Sequence, residues 1–419
     1  MYQPFRSSSL EAIAFQPNSI FFKELTLIFD GLSKLDEPTK KDFKATGIEK
    51  LVKDTLGIKI AVDIDPTPIP NAYVCPPQID KNHPLIVNYM RYDKGSSDGL
   101  AGISVNGGIL TGQIDLRTGY ISGPIADIEC DLFVTLGLLK ISTFSAAERA
   151  AIFLHELGHI NTYIEYLVHA VTANYVLQAV ARGWAQTDVM VKRIQIVRDA
   201  EKALKLSQDD AETLAGNQSS EIVQTLLLSK AIEASRSELG SSIYDMRGWE
   251  ALSDQFATRY GAGRDLATGL DKIMRIVGHS SYYGTATFMA IEAAKLTAWI
   301  GITFAGFIPL SVLILMFNPN ARLYDEPGER FTRIRGQLVE ALKSKTISTK
   351  YRNSLLSDIE AIDQLLEPIN DRRGILELFW TTIIPEGRRQ YNQQQLQQDL
   401  EAMALNDLFT ASAKLKSIK

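Results

Sequence analysis

Two histidines four positions apart, His155 and His159, enclose a glutamate in an HExxH pattern. On a helix, residues four apart share one face with Cβ atoms about 6 Å apart, so both imidazoles can converge on one ion. Imidazole nitrogen is a preferred zinc ligand. Glu156 reaches the side where a metal-held water would lie, the place for a general base. Because the chain has only five histidines, a chance HExxH is rare, and the pattern predicts a hydrolytic metal site.

A catalytic zinc needs a third protein ligand. Glu165 has the spacing used when that ligand follows a glycine turn, but Thr162 stands in place of the glycine. Without the turn, Glu165 stays on the helix and points away from the histidines. No glutamate occurs between Glu165 and Glu201, which removes the next common arrangement.

The other histidines are weaker candidates for that ligand. His169 lies more than two helical turns beyond His159 and is predicted to be a packed or capped core histidine. His83 and His279 lie in loop-like contexts.

An acidic pair remains in the stretch RGWEALSDQFATRYG, where Glu250 and Asp254 lie four apart on a predicted helix and share a face. One carboxylate can bind the metal, and the other can orient a ligating imidazole through its second ring N–H. A solvated acidic pair is the ordinary interpretation of ExxxD taken alone. It becomes less favoured in a chain that also carries HExxH.

Helices are predicted to carry both motifs. Ser145–Glu148 forms a capping box, which starts a helix at about Ala146. We expect that helix to run to Arg182, with Gly183 as its stop. A second helix is predicted from about Arg247 to Gly261.

Strands are predicted before these helices. Residues 58–65 form one, after a helix that Gly57 ends, and short β-type runs follow between residues 85 and 139. Hairpin turns are expected at Asn106-Gly107 and near Thr118-Gly119. Asn18 is the predicted cap of the first N-terminal helix. The sequence therefore predicts an α+β fold that is mainly helical, with a small β-sheet.

The composition of the chain argues against several classes of protein. The formal net charge of −5 gives no basic footprint for nucleic acid. Cys75 and Cys130 form no CxxC pair, which argues against a disulfide scaffold. The N-terminal sequence lacks a signal-peptide pattern, so we expect a cytoplasmic or membrane-associated protein.

The segment 296–317 carries no charge and is long enough to span a bilayer, which would permit membrane association. Gly301, Gly306 and Pro309 interrupt it. We favour a segment buried in the fold or in a protein partner over a straight span.

The ordered motifs resemble those of the M48-type zinc metallopeptidases, the family of the CAAX-prenyl protease and the heat-shock membrane proteases. HELGHI at residues 155–160 is followed about ninety residues later by EALSD at 250–254. DLFVTLGLL at 131–139 is similar to the family's strand and turn before the active helix, and PNAYVCPP at 70–77 to its Asn-Ala segment. The resemblance implies a gluzincin-like fold.

The resemblance also implies roles for these residues. Zn²⁺ would be bound by His155, His159 and Glu250. Glu156 would take a proton from the zinc-held water and later protonate the leaving amine. Asp254 would orient a zinc-binding histidine.

Further implications concern the substrate. DEPGERFTRIRGQL resembles the family's HPxxxxR segment. Arg330 matches the arginine of that segment, which implies a contact with the substrate or the oxyanion. Tyr324 stands where the family has the histidine. The activity implied is that of a zinc-dependent metalloendopeptidase on a protein or peptide substrate. We expect an extended substrate to pair with an edge strand at Leu132–Thr135.

The alternative is a catalytically silent, zinc-containing structural or interaction protein, for example a virion-associated component of a large phage. Its terminal helices would then bind assembly partners. The predicted division is an N-terminal helical extension at 1–57, a zincin-like catalytic domain at 58–345 with a β-rich insertion at about 78–130, and a C-terminal helical region at 346–419.

Overall fold

The computed structural model divides the chain into two compact units, Phe5–Leu266 and Ala267–Lys419, the second with Met1–Pro4. Both metal motifs belong to the first unit. The residues that the structure describes are 13–16, 19–75, 77, 113–115, 117–204, 206–207, 211–239, 246–279, scattered positions between 282 and 297, 327–343 and 348–369.

The described residues are mainly helical with a small mixed sheet, which confirms the predicted α+β class. The helices are α1 (Ile20–Ser33), α2 (Lys40–Ala45), α3 (Ile48–Leu56), α4 (Leu136–Lys140), α5 (Ala146–Gln186), α6 (Met190–Ala203), α7 (Ala211–Ala215), α8 (Ser220–Leu239), α9 (Met246–Arg259), α10 (Gly263–Val277), α11 (Pro327–Lys343) and α12 (Thr349–Leu366). The strands are β1 (Lys59–Asp65), β2 (Ala72–Cys75), β3 (Gln113–Asp115), β4 (Tyr120–Ser122) and β5 (Glu129–Thr135).

The three-stranded sheet has the order β1-β5-β2, with β1 parallel and β2 antiparallel to β5. Leu132 of β5 lies opposite Val62 on one side and Val74 on the other. At the strand's end, the N–H of Thr135 donates to the carbonyl of Asn71. The prediction that Leu132–Thr135 is an edge strand is therefore wrong, because both of its sides are already paired.

Local signals in the N-terminal half behave largely as expected. Gly57 ends α3 with a φ of 73°, and a Cβ there would lie 1.8 Å from the carbonyl oxygen of Ile121. The hairpin of β3 and β4 turns at Gly119, also at positive φ. The first helix differs, because the hydroxyl of Ser19, the residue after Asn18, accepts the capping hydrogen bond from the N–H of Phe22.

The N-terminal helices pack within the same unit as the metal motifs. The ring of Phe29 on α1 contacts that of Phe153 on α5, with centroids 5.4 Å apart. Phe29 also contacts Phe43 on α2. The division into compact units lies after Leu266, and the domain boundaries predicted after residues 57 and 345 stay predictions.

Helix α5 is one continuous element of 41 residues, about 60 Å long at 1.5 Å per residue. It passes the predicted stop at Gly183 and ends at Gln186. A Cβ on Gly183 would lie 2.9 Å from Cδ1 of Ile196 on α6. This glycine therefore makes room for a neighbouring helix and does not end its own.

The C-terminal half of α5 forms a hydrophobic core with α6, α7 and α8, which we call the distal core. It is made of Val176, Leu177, Val180, Trp184, Val197, Ala200, Ala211, Leu214, Ala215, Val223 and Leu227.

In the second unit, α11 and α12 pack together, and Arg335 pairs with Asp363 across them. Within the part of the chain that the structure describes, no helix is long and apolar enough to cross a membrane. Apart from Thr297, the segment 296–317 lies outside the described residues, as do His83, Asn106-Gly107 and residues 78–112 of the predicted insertion.

Candidate metal centre

The start of α5 is fixed by side chains at its first turn. The N–H of Glu148 donates to Oγ of Ser145 at 3.2 Å, and the N–H of Ser145 donates to Oε2 of Glu148 at 2.7 Å. This is the predicted capping box. The buried guanidinium of Arg149 donates to the carbonyls of Leu138 and Ile141, tying this turn to α4. The HExxH residues follow on a helix whose beginning is anchored.

The two histidines converge as their spacing predicts. Nε2 of His155 lies 3.1 Å from Nε2 of His159. The potential ligand atoms of these residues and Glu156 all lie within 4.8 Å of one another. His155 and Glu156 are buried, and His159 is partly so. The third and fourth turns of α5 therefore present three functional groups at one place.

Glu250 reaches the same place from α9. Its Oε2 lies 3.3 Å from Nε2 of His155, and its Oε1 lies 3.4 Å from Nε2 of His159. Two ligands of a tetrahedral zinc with bonds of 2.0–2.1 Å are about 3.3 Å apart. The three separations of 3.1, 3.3 and 3.4 Å fit that arrangement, and the donor set of two imidazoles and one carboxylate suits zinc.

Asp254, one turn further along α9, faces the other nitrogen of His155. Its Oδ1 lies 3.0 Å from Nδ1, and the side chain is 2% exposed. Burial by itself lowers the pKa of His155, but Asp254 and Glu250 outweigh it and raise the pKa to about 10. The two carboxylates therefore favour a positive charge at this position.

Access to the centre is uneven. The side chain of His159 is 14% exposed, whereas those of His155 and Glu250 are 5% and 6% exposed. His159 is therefore the most exposed of these three side chains.

The excluded candidates lie elsewhere on the chain. Helix α5 continues through Thr162 without a turn, as predicted, and Glu165 is a buried residue six positions after His159. Six positions correspond to about 120° around the helix from His159. His169 lies further along α5, and His279 follows α10. Arg330 is a buried residue of α11 in the second unit, and its role in a substrate contact stays a prediction.

One neighbour of the centre was not singled out from the sequence. Tyr163 lies one turn after His159, and its hydroxyl donates to the carbonyl of Pro77 at 2.8 Å. Burial raises the pKa of Tyr163 to about 12, with a smaller contribution from Cys130. The bond holds the segment after β2 against α5. The available signal was a tyrosine four positions after the second histidine, on the same helix face.

No protein-family model matches the chain, and no curated protein or solved structure is significantly similar to it. The interpretation of the centre therefore depends on the chemistry and geometry of its own side chains.

Proposed function

We propose that the protein is a zinc-dependent metalloendopeptidase of the M48-like, gluzincin type, with zinc held by His155, His159 and Glu250. The observation that carries this proposal is the position of Glu250. Its carboxylate comes from a separate helix and lies 3.3 and 3.4 Å from the two imidazole nitrogens. Three protein ligands leave one position open, which is the arrangement of catalytic zinc sites.

Glu156 is the general base and then the general acid of the proposed reaction. Zinc, when bound, supplies Lewis-acid chemistry that acidifies a water molecule and polarises the scissile carbonyl. Glu156 takes one proton from the attacking water as its oxygen bonds to the carbonyl carbon. It then gives that proton to the amide nitrogen as the C–N bond breaks, which yields a carboxylic acid and an amine. Asp254 holds the ring of His155 so that Nε2 faces the centre.

The substrate strand is assigned to β2 in place of β5. Among the described strands, β2 pairs with β5 on one side only, and it packs beside α5. Tyr163 fastens the chain at Pro77, just beyond the end of β2. An extended peptide that adds to this edge gains main-chain hydrogen bonds next to the active helix.

The test compares the wild-type protein with Glu156→Gln, both loaded with zinc. Hydrolysis of protein substrates and self-cleavage are followed by intact-mass spectrometry. A glutamine cannot accept the proton, so we expect the rate to fall by at least about 100-fold while zinc is retained. Hydrolysis that survives this change would show that the base is assigned wrongly. Zinc bound without hydrolysis by the wild-type protein would favour the structural alternative.

A further inference from the structure

A glycine of α5, Gly158, packs directly against the backbone of α9. We infer that Gly158 is a positioning residue, whose missing side chain sets the α5–α9 spacing that brings Glu250 and Asp254 to the histidines. The inference rests on the proposed zinc site and adds a determinant that touches neither metal nor substrate.

The steric observation is direct. A Cβ on Gly158 would lie 2.8 Å from Cα of Ser253 and 3.1 Å from Cβ of Phe256. Ser253 and Phe256 are both fully buried on α9. The nearest atom belongs to the backbone of α9, so a rotamer change cannot relieve the overlap. Only a shift of one helix against the other makes room for a methyl group.

This contact lies among the residues of the centre. Gly158 directly precedes His159, and Ser253 directly precedes Asp254 and follows Glu250 by three positions. If the two helices move apart at this contact, the carboxylates of Glu250 and Asp254 therefore move away from the histidines by nearly the same distance. A crowded glycine farther along the helix would not have this effect.

The expected displacement of the helices can be compared with the distance error that a zinc site tolerates. Carbon atoms in contact prefer about 3.5–4.0 Å, so relieving a 2.8 Å approach moves the helices apart by about 0.7 Å or more. Metal–ligand distances tolerate only about 0.2 Å. An alanine at position 158 therefore displaces Glu250 and Asp254 farther than a zinc site accepts.

The experiment measures zinc affinity by chelator competition, and ligand geometry from the visible spectrum of the Co²⁺-loaded protein. We expect Gly158→Ala to fold, by far-UV circular dichroism, but to bind zinc at least tenfold more weakly with an altered cobalt spectrum. Gly183→Ala is the matched control. It crowds the same helix only against the flexible end of the Ile196 side chain, which can rotate aside and leave the distal core intact, so it should bind zinc as the wild type does.

A folded Gly158→Ala protein with wild-type zinc affinity and cobalt spectrum would overturn the inference. If Gly158→Ala does not fold, Ser253→Thr carries the test, because it adds one methyl from the other helix and keeps the hydroxyl that donates to the carbonyl of Trp249. Ser253→Thr should then bind zinc more weakly than Ser253→Ala, and equal affinities would overturn the inference. Absence of zinc binding in the wild type would instead contradict the proposed function.

Discussion

Nδ1 of His155 lies 3.0 Å from Oδ1 of Asp254, on the side of the ring opposite the Nε2 atom that faces Glu250. One imidazole thus joins two carboxylates that are four positions apart on α9. Under the proposed function, the contact with Asp254 orients the ring and leaves Nε2 for the metal.

Removal of that contact should weaken zinc binding without abolishing it. We expect Asp254→Ala to lower zinc affinity about 10- to 100-fold, the usual effect of losing a partner behind a ligating histidine. Asp254→Asn should lose less, because its amide oxygen can still accept from Nδ1–H. Chelator competition measures both, and wild-type affinity in Asp254→Ala would show that the contact does not orient the ring.

The metal content itself is the most direct prediction. The wild-type protein should contain about one zinc per chain, and His155→Ala should contain almost none, because only one imidazole and one carboxylate remain. Elemental analysis after dialysis measures this. His279→Ala is the control, since His279 is not assigned to the centre. Equal zinc in His155→Ala and the wild type would rule the site out.

The third ligand can be tested with two glutamates of similar burial. Glu250→Ala should lower zinc affinity severely, because Glu250 lies within 3.4 Å of both imidazole nitrogens. Glu165→Ala should leave that affinity close to the wild-type value, although Glu165 is also buried. Thermal unfolding of the zinc-free proteins separates losses of stability from losses of affinity. A reversed order of the two affinities would exclude the M48-like assignment.

The two cysteines provide a test of the fold that is independent of the metal. Cys75 is exposed, whereas Cys130 is buried in β5. Burial raises the pKa of Cys130 from 9.0 to about 12, so at pH 8 its thiol stays protonated in the folded protein. Iodoacetamide should label Cys75 alone in native protein and both residues in denaturant, as mass mapping of peptides would show.

The raised pKa of Cys130 also makes the stability of the folded protein depend on pH. A thiol whose pKa is higher in the folded state favours folding below about pH 9, and this contribution falls as the pH rises towards 12. Native labelling of Cys130 at the rate of Cys75 would contradict its placement in the centre of the sheet.

Much of the centre could be predicted because its signals are local. The capping box at Ser145 and the HExxH spacing are properties of one helix, and both are observed. The spacing of Glu250 and Asp254 indicated a shared helix face. It could not reveal which histidine each carboxylate would meet, because that depends on the packing of α5 against α9 at Gly158.

The errors concern tertiary contacts. Residues 132–135 form a mostly apolar run that fits an edge strand or a central one equally well, and only the pairing with Lys59–Asp65 decides between them. The glycine at 183 was interpreted as a helix stop because glycine often ends helices. It lies inside α5, where the close approach of α6 uses its small size.

The distal core affects the entropic cost of bringing the two halves of the centre together. His159 and Glu250 are separated by about ninety residues, and closing a flexible loop of that length costs about 4 kcal/mol beyond a constant. Much of this cost is met when α6, α7 and α8 fold back on α5 around Val197 and Leu227. Leu227→Ala, which loosens the distal core, should therefore weaken zinc binding while every ligand is unchanged. A zinc titration of that variant would show the weaker binding. The metal would then act as a cross-link that holds the two ends of the loop together.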